Sequence, residues 1–299
     1  MARGLLWNSG TVNKTPLALI FSLLVGLPVR AAVLFEEDYE VAGTDINALT
    51  AHGWTSIYCA GGSITSGPCP YLDIEHSITH GGSGSLRYIY VGPDCANGVC
   101  TNDFRHSHIG RFITPVREVY AAYWLRFEPH PNGSVPLQFV DGNGNSSFKM
   151  HYFNPAGADP LSTVYGFFYH NTSANSPSWG LQNPTDGYAT VTLDPNKTIT
   201  NLVHGRWYCM QYHQRINDMG QANGIWEVSV DGVQSEQHLD VDFSAQNTEA
   251  FRYVIMYRQG SAMAMYRYED DYVLSTTPVG CSGAADTLAP AGPTALTAS

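Results

Sequence analysis

The sequence predicts an all-β protein, a sandwich or jelly roll of two antiparallel sheets, on three observations. Apolar and aromatic residues recur with period two in eight separate runs, the spacing of a half-buried strand. Clusters of Gly, Pro, Asn and Asp bound those runs. No stretch after residue 32 carries a capped apolar stripe of helical period, so no layer of helices is available to cover a sheet.

The runs come in this order. "SLRYIYV" (85–91) exposes Arg87 from an otherwise apolar strand, and "VYAAYWLRF" (119–127) is the longest aromatic run. "SFKMHYF" (147–153) sets Lys149 and His151 on one face, opposite Phe148, Met150 and Tyr152. "VYGFFYH" (164–170) follows. "RWYCMQYHQRI" (206–216) puts Tyr208, Met210 and Tyr212 on a greasy face and Gln211, His213 and Arg215 on a polar one. "IWEVSV" (225–230) ends in "VDGV", a two-residue hairpin turn, because Asp-Gly tolerates positive φ at both turn positions. "RYVIMYR" (252–258) and "DDYVLST" (270–276) complete the set.

Of the 299 residues 43% are hydrophobic and only 14% charged, the composition of a packed globular chain rather than a disordered one. The first residues read as an export signal. Arg3 and Lys14 precede the apolar "PLALIFSLLVGLP" (16–28), and "VRA" offers small residues for cleavage after Ala31. That run is short for a membrane span, so no membrane association is expected once residues 1–31 are removed. Removing Arg3, Lys14 and Arg30 from the 15 basic residues leaves 12 against 26 acids, a net charge of −14. Such a body repels nucleic acid, which is excluded as a partner. After Cys281 the chain turns Ala-, Pro- and Gly-rich, so residues 282–299 are expected to form a linker or tail. The body, 32–281, is expected to be one domain and a monomer.

All six cysteines follow the signal, an even number in an oxidising compartment. Fifteen pairings are open; the spacing favours Cys59–Cys69 and Cys95–Cys100 as local staples and leaves Cys209–Cys281 as a long-range bridge.

The succession "SLRY", "YWLRF", "RWYCMQYHQRINDMGQANGIWEVSVDG" and "YEDDYVLST" resembles the concanavalin A-like jelly rolls of secreted bacterial polysaccharide lyases, nearest to alginate and glucuronan lyases. The likeness runs through most of residues 33–280, and Trp207, Asn217, Gly224, Asp231 and Gly232 are its most specific part. It implies a concave sheet that holds a sugar chain and cleaves uronate-containing glycan by β-elimination. One departure stands out: where alginate-lyase-like members carry Gly-Gly-Lys-x-Pro, "NGSVPLQFVDG" (132–142) has no lysine.

β-Elimination needs a donor to neutralise the uronate carboxylate, a base for the C5 proton and an acid for the leaving oxygen. Arg87, Gln138, Lys149 and Gln211 supply candidate donors, His151 and His213 candidate bases, and the 18 tyrosines candidate acids. The alternative is a non-catalytic carbohydrate-binding module with aromatic stacking platforms. Hydrolysis fits less well, since Asp240 with Asp242, and Glu269 with Asp271, each lack a third acid on the same strand. His106 and His108 form a possible metal pair without a third ligand. A structural calcium ion is expected where Glu37 or Asp38 of "LFEEDYE" meets Asp271, if the terminal strands pair.

Overall fold

The computed structural model describes residues 33–59, 62–64, 67–91, 94–96, 99–101, 107–129, 146–154, 165–171, 177–182, 202, 205–243, 250–259 and 264–281. The signal segment, the 282–299 tail, Gln138 and His106 lie outside the described residues.

The strands are β1 (Val33–Glu37), β2 (Ser56–Cys59), β3 (Gly62–Ser63), β4 (Leu72–Glu75), β5 (Ser85–Val91), β6 (Asp94–Ala96), β7 (Val99–Thr101), β8 (Ser107–Val116) and β9 (Glu118–Pro129). They continue with β10 (Ser146–Asn154), β11 (Tyr165–Asn171), β12 (Pro177–Gln182), β13 (Trp207–Arg215), β14 (Gly224–Val230), β15 (Val233–Val241), β16 (Phe251–Gln259) and β17 (Ala264–Ser275). A 3-10 helix, Ile46–His52, is capped by Asp45, whose side chain accepts from Asn47 N. No helix among the described residues is long and apolar enough to cross a membrane.

Two antiparallel sheets make the sandwich. One runs β15-β14-β13-β9-β17-β5-β4, with β1 beside the second half of β17; the other runs β12-β11-β10-β16-β8-β2-β3. Between them lies one apolar core, with Leu86, Leu125, Met210 and Val228 from the first sheet and Ile109, Met150, Val254 and Met256 from the second. The jelly-roll expectation is met. The Asp-Gly hairpin joins β14 to β15 with Asp231 at φ 52° and Gly232 at φ 76°. Cys59–Cys69 and Cys209–Cys281 are bonded, and Cys95 and Cys100 are register partners across β6 and β7.

Two bulges redirect side chains that strict alternation would misplace. In β10 the register against both β11 and β16 slips between Lys149 and His151. Across that slip the i, i+2 rule no longer sets Lys149 and His151 on one face. In β17 the register against β9 slips between Asp270 and Val273, and Asp271 takes φ 50°. Arg267 and Glu269 are buried before the slip, Tyr272 and Leu274 after it, so inward positions change from odd to even numbers.

Candidate functional site

On β13 the expected division holds, with Tyr208, Met210 and Tyr212 buried and Gln211, His213 and Arg215 half-buried on the outer face. That outer face is committed to holding the protein together. Gln211 Nε2 donates to Val279 O at 2.9 Å, so it fastens the C-terminal segment beside the Cys209–Cys281 bridge. His213 sits between two carboxylates, Nδ1 2.7 Å from Glu227 and Nε2 2.8 Å from Glu118, with its ring stacked 4.1 Å from Tyr120. Neither imidazole nitrogen is left to take a proton from a substrate. Arg215 Nη2 donates to Asn223 O across the β13–β14 turn.

Arg87 lies on the same sheet face, three strands away from β13 in the order β13-β9-β17-β5. Its Nε and Nη2 donate to the two oxygens of Asp73, at 2.8 and 2.6 Å, and Nη1 donates to Glu75. Two carboxylates already hold that charge, so it is not available to neutralise a uronate.

His151 lies inside the sandwich at 1% exposure. The Tyr212 hydroxyl hydrogen-bonds its Nδ1, and the rings of Tyr212, Phe153 and Tyr272 stand 4.8, 4.9 and 5.4 Å away. Burial drives its pKa well below the usual histidine value, and the nearby Arg267 charge acts the same way. It is a neutral core imidazole closed off by its neighbours among the described residues; the expectation of an outward catalytic base at this position is corrected. Nearby, Glu269 Oε1 is 3.2 Å from Arg267 Nε, and Glu269 Oε2 accepts from Tyr88 Oη at 2.9 Å. Burial pushes Glu269 up to about 7 against the pull of Arg267 and Tyr88.

Strands β1 and β17 do pair, with Glu37 in register with Tyr272. The bulge nevertheless sends Asp271 elsewhere, 3.3 Å from His80 Nδ1. Glu37 and Asp38 instead group with His52, their ligand atoms within 4.8 Å of one another. Glu37 is filled by protein donors: Oε1 accepts from Tyr39 N and pairs with His52 Nδ1, and Oε2 accepts from Trp54 Nε1. A saturated carboxylate beside an imidazole does not fit the all-oxygen shell of calcium. The Glu37, Asp38 and Asp271 set is therefore not assembled. The same bulge separates Glu269 from Asp271, which removes the carboxylate pair that hydrolysis would have needed on β17.

The second sheet carries a different row. Because Ile109, Val254 and Met256 fill the core, His108, Gly110 and Phe112 of β8 and Tyr253 and Ile255 of β16 alternate onto its outer face, where His108, Tyr253 and Ile255 are nonetheless covered, at 3%, 3% and 0% exposure. Ser63, Tyr58, His108 and Tyr257 are successive register partners across β3, β2, β8 and β16. The Tyr58 ring stacks on the His108 imidazole, 5.1 Å between centroids and 4° from parallel. Farther along β16 from Tyr257, Gln259 is in register with Lys149 of β10. At the other end, Phe112 is 58% exposed, 4.7 Å from Tyr253. At ~3.3 Å per residue, Phe112 lies about 13 Å along β8 from His108. Sequence reading missed Tyr58 because "SIYC" is only four residues, too short to carry a period.

No protein-family model matches the sequence, and no curated protein matches it. Among solved structures the chain is similar to a marine PL-14 alginate lyase from Aplysia kurodai, with TM-score 0.53 and 11% identity, covering 83% of this chain and 100% of that one. It is also similar to alginate lyase Aly36B, with TM-score 0.51 and 11% identity, covering 84% and 99%. Alginate lyase vAL-1 from Chlorella virus gives TM-score 0.50 and 12% identity, covering 79% and 100%. At such identities the likeness is one of fold.

Proposed function

We propose that this is an exported carbohydrate-active protein that cleaves uronate-containing polysaccharide by β-elimination on the outer face of the seven-stranded sheet. The observation that carries the reading is the cross-strand row Tyr58–His108–Tyr257, with Lys149 near its end. These residue types are the ones the reaction needs. His108, covered until the half-buried Tyr58 ring stacked on it shifts, takes the C5 proton, Tyr58 protonates the departing glycosidic oxygen, and Lys149 neutralises the carboxylate that stabilises the carbanion. The products are a new reducing end and a C4–C5 double bond.

The test is turnover of a panel of uronate and neutral glycans by mature protein, followed by absorbance of the unsaturated product. His108→Asn and Tyr58→Phe are expected to lose on the order of 100-fold or more in turnover. Retained turnover in His108→Asn removes it from the chemistry. The exposed Phe112 beside Tyr253 favours a second reading, a binding module with an aromatic platform. Glycan binding without product would select that reading.

A further inference from the structure

The interior between the sheets holds more polar atoms than the protein has partners for. Tyr39, Tyr123, Tyr272 and His151 are all at most 1% exposed. The phenol oxygens of Tyr39 and Tyr123 and His151 Nε2 have no hydrogen-bond partner in the protein, while the Tyr272 hydroxyl bonds to that of Tyr212. The four side chains converge on one place. The Tyr123 ring is 6.3 Å from Tyr272 and 6.4 Å from His151, and His151 is 5.4 Å from Tyr272. Tyr39 interacts electrostatically with both Glu269 and Tyr272. They come from different layers: His151 from β10, Tyr123 from β9, Tyr272 from β17 and Tyr39 from the segment after β1.

A buried hydroxyl without a partner is unfavourable, and phenylalanine would fill the same space without that penalty. Three such atoms in one locus are therefore a pattern that points to an occupant. Its chemistry follows from its surroundings. Arg267 and Glu269 compensate each other's charge, so the occupant is neutral. It must accept from phenols and also satisfy an imidazole nitrogen, so it both donates and accepts.

We propose that the sandwich interior contains a binding site for ordered water that bridges Tyr39 Oη, Tyr123 Oη and His151 Nε2 and so joins the two sheets through solvent. Buried waters of this kind make two to four hydrogen bonds and are part of the structure. The site is independent of the glycan chemistry on the outer face.

Two measurements test it. A crystal structure that shows ordered solvent is expected to place water within hydrogen-bonding distance of at least two of these atoms. Tyr123→Phe is expected to shift the unfolding equilibrium about tenfold toward the unfolded state, as loss of a water-bridged hydroxyl does. A dry interior overturns the proposal, and so does a Tyr123→Phe variant as stable as the parent or more so. Density that a soaked halide or heavy cation replaces also overturns it, because the occupant would then be an ion.

Discussion

Asp270 offers the most direct test of how this fold holds its loops. The side chain is fully buried, and Oδ2 accepts from His80 N at 2.7 Å and Gly81 N at 3.4 Å, while Oδ1 accepts from Asp271 N at 2.9 Å. Burial pushes its pKa from 3.8 up to about 7, and the neighbouring Asp271 carboxylate adds to the rise. A shift of about 3 units at 1.36 kcal/mol each is about 4 kcal/mol. The folded state keeps this proton to higher pH than the unfolded chain does. The stability it contributes is thus complete below about pH 4 and disappears as pH rises to about 7. Glu269, raised from 4.5 to about 7, acts with the same sign. His151 opposes them, because its lowered pKa costs stability as pH falls below 6.5. Two acids against one imidazole leave a net fall in stability from about pH 4.5 to 7. Asp270→Asn removes one titration. Its urea-unfolding free energy, followed by tryptophan fluorescence with disulfides intact, should fall by up to about 4 kcal/mol less than the parent's across that window. Below pH 4 the variant should be the weaker by about 1–2 kcal/mol, since an amide cannot accept with both of its atoms. Parallel pH profiles for the two proteins would refute the argument, for they would mean that Asp270 ionises alike in both states.

Gly110→Ala should destabilise by about 1–3 kcal/mol, because the new methyl would stand 2.0 Å from Tyr253 Oη and 2.5 Å from its ring, in a buried position with no flexible tip to yield. A thermal melt checks it, and an unchanged midpoint would mean that Tyr253 does not cover this strand. Replacing Cys209 and Cys281 together by Ser should cost about 4 kcal/mol from the chain entropy of a 72-residue separation, against about 3 for Cys59 and Cys69, ten residues apart. Denaturant melts of the two double variants should rank in that order; the reverse order would show that the C-terminal segment holds without its staple.

The fold was legible because most strands announce themselves. "SLRYIYV" matches β5 end to end, and the runs at 119–127, 147–153, 206–216, 225–230 and 252–258 fall within two residues of β9, β10, β13, β14 and β16. The site was far less legible, for two physical reasons. Alternation propagates a face only until a bulge, and the slips after Lys149 and Asp270 are set by neighbouring strands that no local pattern reveals. The run at 270–276 began six residues late for the same cause, since β17 keeps its period on each side of the slip but not across it. Partners are the second reason. Arg87 does face outward, yet what decides its availability is Asp73 and Glu75 on β4, and what decides His213 is Glu118 on β9, 95 residues away.

Those partners also bear on where a polysaccharide can act. The eight-stranded sheet uses its outer polar groups as fasteners. Asp270 and Asp271 grip the loop at His80 and Gly81, and the His80 ring lies 3.8 Å over Trp124. Glu40 holds the same loop at Ser83 and Gly84. Gln211 and the Cys209–Cys281 bridge hold the C-terminal segment over β13. A sugar chain bound there would have to displace backbone bonds and break ion pairs, exchanging made interactions for equivalent ones with little net gain. The outer face of the seven-stranded sheet is built differently. Its bare Gly110 leaves room for the Tyr253 hydroxyl, and the strand runs from a covered His108 to an open aromatic ring at Phe112. On the proposed cleavage reading, chain-length dependence of turnover would follow from that spacing, with a substrate too short to reach from His108 to Phe112 losing the stacking contact while keeping the chemistry.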